Sequence, residues 1–435
     1  MARYDFPNPQ NILRAVLPNG IRVLAYETPH VASVVLDGSL KAGALYELPD
    51  EPRGIASLVA SALLRGTRQR DFDEIHETLE SLGAELSTGA LLHNAVFGGK
   101  ALAEDLPSLL ELLAQSLREP SFPEDLIAPL RQQRLTGLKY SLQDTRFQSQ
   151  RVFRELLYPV GHPLYGLPGG DFDTLPRMTS DVLHAFHQRV YRPQEMVLVI
   201  VGAVAPQRAL EWVERYLGDW QVPANPITQS LPSVPLPEQI RRADLPIQGK
   251  TQVDIVMGTI GPARYDSDYL ACVLGNSILG EFGMMGRLGA VIREELGLAY
   301  YAYSALEGGE SRGAWVVSAG VAPQNVEVAI ERAREEIRRI TQEGVSEEEL
   351  QDNQSYFIGR LPLRLETNGG IAAILEMMER YQLGLDYLVN YADRVRSIRR
   401  EDVQAALAHY LKPDALCIAT AGTPIAQSSM LTEEG

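Results

Sequence analysis

The sequence predicts an α+β protein made of two similar domains in tandem, each a mostly antiparallel β-sheet packed with α-helices. Three observations lead to this prediction: an internal repeat, a proline-rich stretch near mid-chain, and segments of period 2 that alternate with segments of period 3.6. The chain has 435 residues, of which 45% are hydrophobic and 22% are charged. This composition is typical of globular proteins with well-buried cores.

The repeat is clearest where each half ends. The first half closes with an amphipathic helical pattern, Pro193, and an apolar strand that finishes at Gly202. The second half closes in the same way, with Pro413 and Gly422 each 220 residues later. The earlier segments PEDLIAPLRQQRLTGLKYSLQDT and SEEELQDNQSYFIGRLPLRLET also resemble each other, and SVVLDGSL has a looser counterpart in VDIVMGTI. Two similar α+β units explain these matches most simply.

The domain boundaries follow from the proline-rich stretch. Residues 221–250 contain six prolines and little periodicity, as expected of an extended connector. We therefore predict an N-terminal domain at 1–220, a linker at 221–250 and a C-terminal domain at 251–435.

Two local elements of the first half are well marked. The segment RAVLPNGIRVLAY predicts a hairpin, because Asn19 and Gly20 lie between two alternating strands. The segment 71–83 predicts a surface helix that is stopped by Gly83. Its apolar face consists of Phe72, Ile75, Leu79 and Leu82.

Charge and cysteine content limit the possible partners and compartment. A formal net charge of -16 argues against sequence-independent binding to nucleic acid or to an anionic membrane. Cys272 and Cys417 lie in apolar surroundings and are expected to be buried thiols in a reducing compartment. The N-terminus has no signal-peptide pattern, and no window of about 18 apolar residues occurs. We expect a soluble, cytoplasmic protein, with the periplasm as the alternative.

The stretch RGIASLVASALLRGT at 53–67 predicts a buried helix. Its apolar residues recur at helical spacing and form one stripe: Ile55, Leu58, Val59, Ala62 and Leu63. The opposite face carries Ser57, Ala60, Ser61 and Leu64. On this pattern alone, the small residues simply allow another helix or strand to approach closely.

Several motifs nevertheless resemble one family. GIASLVASALLRGT, LESLGAELSTGALLHNAVF, LPSLLELLAQSLREPSFPEDL, HPLYG and LGNSILGEFGMMGRLGAVIREELGLAYYAYS are similar to segments of the pitrilysin-type, or inverzincin, metallopeptidases, in the mitochondrial processing peptidase branch. The resemblance covers nearly the whole chain and implies the fold of that branch. In the family the first motif resembles G-I-A-H-F-L-E-H-M-L-F-K-G-T, where two histidines bind zinc and the glutamate is the general base.

The resemblance implies that the metal site of this chain has been lost. Ser57 and Ser61 stand at the places of the histidines, and Ala60 stands at the place of the base. The third ligand of the family, a glutamate on a later helix, corresponds to Thr136 or Gly137. Zinc needs imidazole, thiolate or carboxylate donors, so we expect no zinc, no other cofactor and no catalytic residue in this chain.

The histidines offer no obvious replacement site. His184 and His187 lie three residues apart on a predicted helix, but no carboxylate accompanies them at ligand spacing. We interpret both as structural. His93 lies in an apparent strand that faces the active region in relatives, where it could contact a ligand or simply be hydrogen-bonded.

The family resemblance gives Arg293 and Tyr300 a substrate-binding role. In relatives, an arginine and a tyrosine at this motif reach toward the zinc of an N-terminal half, hold the substrate carbonyl and stabilise its oxyanion, for which both are suitable donors. The residues themselves leave an alternative open. Arg293 could pair with Glu294 or Glu295, and Tyr300 could be part of an aromatic core.

The resemblance therefore implies a metal-free, substrate-binding subunit that is inactive alone. Its partner would be a related subunit with an intact His-x-x-Glu-His motif, which would hold the zinc. The peptide substrate would add as a strand to a sheet edge, on the partner's N-terminal half. Two alternatives are a structural scaffold and a homodimer that binds peptides without cutting them.

Overall fold

The computed structural model describes residues 6–222, 229, 231–281 and 286–423. The strands are β1 (Leu13–Val16), β2 (Arg22–Glu27), β3 (Ser33–Leu40), β4 (Glu85–Ala90), β5 (Ala95–Leu102), β6 (Val197–Gly202), β7 (Arg241–Pro246), β8 (Val253–Ile260), β9 (Ala299–Leu306), β10 (Ala314–Val321) and β11 (Cys417–Gly422). The helices are α1 (Ile55–Ala62), α2 (Phe72–Ser81), α3 (Leu106–Arg118), α4 (Glu124–Ser141), α5 (Thr145–Leu157), α6 (Ser180–Val190), α7 (Pro206–Leu217), α8 (Tyr269–Asn276), α9 (Val326–Gln342), α10 (Glu347–Arg364), α11 (Asn368–Arg380), α12 (Tyr387–Arg396) and α13 (Arg400–Tyr410).

The chain forms two compact units. The first consists of Met1–Leu138, Leu167–Leu231 and Tyr356–Arg396. Its six-stranded sheet has the order β1-β2-β6-β3-β5-β4, and each neighbouring pair is antiparallel except the parallel pair β2 and β6. Helices α1, α3 and α7 contact the sheet within the main core, and α11 packs on β6 and β3 within a second core.

The second unit consists of Lys139–Gly166, Pro232–Ser355 and Ser397–Gly435. Its five-stranded sheet has the order β7-β11-β8-β10-β9, with β7 and β11 parallel and the other pairs antiparallel. Helix α5 packs against β11, β8 and β7. The α+β fold class predicted from the sequence is confirmed, with a mostly antiparallel sheet in each unit.

The sequence repeat is visible in the elements. Strands β3 and β8 begin at 33 and 253, strands β6 and β11 at 197 and 417, and helices α6 and α13 at 180 and 400, each pair 220 residues apart. The pairs α4 with α10 and α5 with α11 begin 223 residues apart, at 124 and 347 and at 145 and 368. The two halves of the sequence therefore repeat one order of helices and strands.

The compact units divide the chain differently from the two sequence halves. Helix α5 lies in the first half and belongs to the second unit, whereas α11 lies in the second half and belongs to the first unit. The predicted boundaries of 1–220 and 251–435 follow the repeats in the sequence. Periodicity shows that a helix has an apolar face, but it does not show which sheet that face covers.

The stretch predicted as a linker, 221–250, contains a strand. Strand β7 alternates between exposed and half-buried residues and pairs with β11 at one end of the sheet. The only proline in β7 is its last residue, Pro246, a position that a strand at a sheet edge tolerates. Residues 223–228 and 230 of this stretch lie outside the described residues.

The two local predictions are confirmed. Strands β1 and β2 form an antiparallel hairpin, and Gly20 at its turn has φ +94°. Helix α2 begins after Asp71, whose carboxylate accepts a hydrogen bond from the Glu74 amide in a capping box. Beyond its end, Gly83 adopts a left-handed φ of 57°.

Candidate functional site

Helix α1, which carries Ser57, Ala60 and Ser61, is fixed at its N-terminus by a half-buried carboxylate. Glu47 Oε2 accepts a hydrogen bond from the Gly54 amide at 3.0 Å, and Oε1 accepts one from the Ala56 amide at 3.1 Å. Burial raises the pKa of Glu47 to about 7, and these two hydrogen bonds oppose that rise. Gly54 has φ +88°, and a Cβ there would lie 2.4 Å from the backbone of Gly169, so this entry to the helix requires glycine.

The predicted apolar stripe of α1 is confirmed. Each of its members is at most 1% exposed: Ile55, Leu58, Val59, Ala62 and Leu63. Ala60 is also fully buried, and its carbonyl accepts a hydrogen bond from Thr88 Oγ1 of β4 at 2.7 Å. Ser57 and Ser61 are only half-buried. The two serines are therefore the part of the motif that a neighbouring group can reach.

The neighbouring group is Arg134 of α4. Its Nη1 donates to Ser57 Oγ at 3.1 Å, and its Nη2 donates to Ser57 O at 2.9 Å and to Ser61 Oγ at 2.6 Å. The Ser61 hydroxyl also donates to Ser57 O at 3.0 Å. One guanidinium thus bridges the two positions at which the family motif carries histidines.

This arrangement places a cation at the positions where the resemblance implies metal ligands. The donor set of Ser57, Ser61 and Arg134 does not fit zinc, since hydroxyls are weak ligands and the guanidinium repels a metal ion. Burial lowers the pKa of Arg134, and no carboxylate of the described residues lies within 4.0 Å of its guanidinium. Across the described part of the chain, no group of three or more His, Cys, Asp or Glu residues is placed to hold a metal ion.

The residues expected at the third ligand position do not contact the serines. Thr136 and Gly137 are exposed, and a Cβ on Gly137 would meet no atom within 4 Å. Arg134 was not among the predicted site residues, although its position carried a signal. Arg134 lies three residues before Gly137 and so shares its helix face, and two short serines leave room for a long side chain.

The histidine pair on α6 has structural contacts. His184 Nε2 lies 3.1 Å from Ser121 O, and His187 Nε2 lies 2.9 Å from Leu117 O. Both rings also pack edge-on against Phe122. Burial lowers the pKa of His187 to about 4. These contacts account for both histidines without a metal, in agreement with their predicted structural role.

His93 lies in the loop between β4 and β5, not in the strand that the sequence suggested. Its carbonyl accepts a hydrogen bond from the Gly43 amide at 3.3 Å. The alternation of apolar and polar residues continues through the short turn between β4 and β5. The sequence pattern therefore did not show that the strand ends before His93.

Arg293 and Tyr300 lie on either side of a sharp break in the second unit. Arg293 is in a π-helical segment, Gly289–Glu295, and Tyr300 is the second residue of β9. Between them, Gly297 has φ +60°. The Tyr300 residue is 67% exposed and the Arg293 side chain is 41% exposed, with its Nε 3.7 Å from Glu294 Oε1. Tyr300 is therefore not a core residue, and the ion pair of Arg293 with Glu294 is long.

The next residue of the strand behaves differently. Tyr301 donates a short hydrogen bond to the buried Asp254, and Arg146 Cζ lies 4.0 Å from the Tyr301 ring centroid. Successive side chains of a strand point to opposite faces. The aromatic run therefore contributes one tyrosine to a packed polar network and leaves Tyr300 accessible.

Two expectations from composition concern cysteines and membrane spans. Cys272 and Cys417 are both buried and unpaired, as predicted. Burial raises the pKa of both thiols. Among the described helices, none has the length and apolar character needed to cross a bilayer.

Comparison with family models agrees with the motifs. Residues 22–159 match the model described as insulinase, peptidase family M16, and residues 177–356 match the model described as peptidase M16 inactive domain. The chain belongs to peptidase family M16. The M16 model for the inactive domain covers Arg293 and Tyr300, and the insulinase model covers α1 and Arg134.

Two proteins named as uncharacterized zinc proteases are similar over most of the chain. An uncharacterized zinc protease of Streptomyces coelicolor is 24% identical over 403 residues, which cover 91% of this chain and 86% of that protein. The uncharacterized zinc protease YmxG of Bacillus subtilis is 22% identical and covers 82% of this chain and 85% of its own length.

Two solved structures share the fold. A peptidase M16 inactive domain from Pseudomonas fluorescens is 26% identical, with a TM-score of 0.87, 96% of this chain covered and 99% of that chain. A protease from Helicobacter pylori, at 18% identity, has a TM-score of 0.86 and covers 94% of this chain and 99% of its own.

Proposed function

We propose that this chain is the metal-free, substrate-binding subunit of a heterodimeric M16 zinc peptidase. It donates Arg293 and Tyr300 to the zinc site of a related partner that has an intact His-x-x-Glu-His motif. The observation that carries the proposal is a contrast between two places in the chain. On α1, Ser57 and Ser61 are hydrogen-bonded to Arg134 and offer no metal ligand. Arg293 and Tyr300, in contrast, remain exposed.

The chemistry of the pair suits peptide hydrolysis. When a peptide carbonyl is attacked, negative charge develops on its oxygen, and donors aimed at that oxygen lower the barrier. A guanidinium and a phenol are both strong donors. The turn at Gly297 brings the chain directly from the segment of Arg293 into the strand of Tyr300, so the two donors are set by one local structure.

Charge and cysteine content bear on the partners and the compartment of the proposed subunit. The net charge of -16 favours neutral or basic peptides and disfavours nucleic acid and anionic membranes as partners. Two buried free thiols fit a reducing compartment, for which we propose the cytoplasm, with the periplasm as the alternative. The peptide is proposed to bind as an added strand on the sheet edge of the partner's N-terminal half.

The test is cleavage of a quenched fluorescent peptide by this chain mixed with an M16 partner that has the intact motif. Neither chain alone should cleave, and the mixture should. Arg293→Ala or Tyr300→Phe should lower turnover by about 10- to 1,000-fold, because each removes a donor to the developing oxyanion. Gel filtration should show that both variants still pair with the partner.

Matched controls are available on exposed side chains of the same unit. Arg332→Ala and Tyr140→Phe remove the same chemical groups away from the Arg293 and Tyr300 motif and should leave turnover unchanged. An assembled Arg293→Ala, Tyr300→Phe double variant with full activity would favour a structural scaffold. Absence of cleavage with every intact partner would favour a homodimer that binds peptides without cutting them.

A further inference from the structure

Arg134 is half-buried, and its hydrogen-bond partners among the described residues are all neutral. Its three hydrogen bonds go to Ser57 Oγ, Ser57 O and Ser61 Oγ. A guanidinium has five N–H donors, so Nε and one hydrogen of Nη1 are left without an acceptor among the described residues. Nε is not sealed from solvent, since it is absent from the buried polar atoms that lack a partner. Nε therefore keeps some exposure to solvent and is open to a ligand.

Charge makes an anionic ligand the favoured one. A charged group that is moved out of water costs free energy unless a counter-charge compensates it. The neutral hydroxyls and the carbonyl satisfy donors of Arg134 but do not neutralise its charge. A carboxylate matches guanidinium donors in shape and in charge.

The surroundings favour a peptide as the source of that carboxylate. Strand β4 is the last strand of its sheet, and its Thr88 is hydrogen-bonded to Ala60, between the two serines. An extended peptide can pair with a terminal strand through main-chain hydrogen bonds. Such a peptide would pass beside α1, where its end could meet Arg134.

We propose that Arg134, held in place by Ser57 and Ser61, binds the free C-terminal carboxylate of a peptide. The inference rests on the proposed function in one respect, namely that this chain handles peptides. It adds a second peptide site, in the first unit of this chain, that is distinct from Arg293 and Tyr300 and from the strand position proposed on the partner. In this proposal the two serines of α1 orient a positive charge of α4 for peptide binding.

The test compares two forms of one short, neutral, fluorescein-labelled peptide on the isolated full-length chain. One form has a free C-terminal carboxylate and the other a C-terminal amide, and binding is followed by fluorescence anisotropy. The carboxylate form should bind about 10- to 100-fold more tightly, the range expected of a hydrogen bond to a charged group. Arg134→Met should remove this preference, and Arg134→Lys should keep part of it.

The control is Lys139→Met, which removes one positive charge from an exposed position of the same helix and should leave the preference intact. An amidated peptide with one internal aspartate distinguishes a terminal carboxylate from a side-chain carboxylate. If it binds as tightly as the free-acid form, the C-terminal assignment is overturned.

Equal affinity of the wild-type chain for the acid and the amide would overturn the inference and leave the proposed function standing. The same conclusion holds if neither peptide binds the isolated chain while the mixture with a partner is active. Since the comparison of the two peptides uses the wild-type protein, it does not depend on the folding of any variant.

Discussion

Arg134 limits which groups can occupy the space beside Ser57 and Ser61 of α1. Its Nη2 lies 2.6 Å from Ser61 Oγ, so a histidine at position 61 would have to share this space with a guanidinium. A metal ion between positions 57 and 61 would also be repelled by the guanidinium charge at short range. Residues of both α1 and α4 therefore disfavour a metal ion between positions 57 and 61.

Restoring histidines alone should not restore a metal site. We expect the Ser57→His, Ser61→His variant to bind zinc weakly or not at all. Adding Arg134→Glu should raise zinc affinity at least about 10-fold, because a repelling cation is replaced by a carboxylate ligand. Competition with a chromophoric chelator measures the affinities, and circular dichroism checks the fold. Tight zinc binding by the two-histidine variant would show that Arg134 does not block the site.

At the residue scale, the family motif drew attention to positions 57, 60 and 61 but not to the side chain that contacts them. The substitutions at Ser57, Ala60 and Ser61 could be recognised because the flanking motif survives. Arg134 was not predicted, because it lies 73 residues beyond Ser61 and the hydrogen bonds between them form only in the folded chain. The accessibility of Tyr300 was also open in the sequence, because an aromatic run in a strand fits both a core and a surface.

At the scale of elements, α11 covers only part of the sheet in the first unit. It packs on β6 and β3, where Ser39 Oγ donates to Glu376 Oε1 at 2.7 Å. Beyond its edge, strands β3, β5 and β4 line an open cleft of about 800 Å³ that includes Asp37 and Lys100. Burial, with the nearby Glu376 carboxylate, raises the pKa of Asp37 to about 6. The carboxyl groups of Asp37 on β3 and Glu376 on α11 thus lie near each other.

The raised pKa of Asp37 has a consequence for stability. Because it lies above the ordinary value of 3.8, the folded chain binds more protons than the unfolded chain between about pH 4 and 6. The contribution of protonated Asp37 to the free energy of unfolding is fully present below this window and is lost as the pH rises through 6. Asp37→Asn should therefore become increasingly stabilising, relative to wild type, from pH 4 to 6 and then level off.

Urea unfolding at a series of pH values measures this difference. The exposed Asp352→Asn on α10 is the control, and its difference from wild type should not change across the window. A constant difference for Asp37→Asn between pH 4 and 8 would contradict the coupling of Asp37 to its buried surroundings.

Elements with local signals in the sequence were predicted correctly, whereas one that depends on distant pairing was missed. The hairpin at Asn19 and Gly20 and helix α2 were clear because turn and capping residues are local signals. Strand β7 was missed because it lies among prolines and its pairing with β11 is formed across a long separation in the chain. The π-helical form of 289–295 was not anticipated, since its sequence has an ordinary helical pattern.

At the scale of the whole molecule, the repeat is not made of two independent folding units. Helix α11, encoded in the second repeat, completes the core of the first unit through buried residues that include Ile374, Leu375 and Met378. They cover Leu24 and the apolar residues of β6. Helix α5, encoded in the first repeat, likewise supplies Val152, Phe153 and Leu157 to the core of the second unit. Each sequence half thus lacks a helix that its own sheet needs.

The first repeat should therefore not fold when it is produced alone. A fragment ending at residue 231 lacks α11, so Leu24, Val197, Val199 and Val201, now at most 1% exposed, would face water. Burial of such a side chain is worth about 1.5–3 kcal/mol, and the combined loss is comparable to the whole stability of a typical domain. We expect the fragment to bind the dye ANS, to lack near-ultraviolet circular dichroism and to aggregate.

Producing residues 232–435 in the same cells should restore a compact assembly, because that fragment brings α11. The full-length chain is the reference for both spectra. A fragment of residues 1–231 that unfolds cooperatively on its own, with native-like near-ultraviolet circular dichroism, would show that α11 is dispensable for the first sheet. The packing of α11 from the second repeat against the first sheet would then not be required for folding.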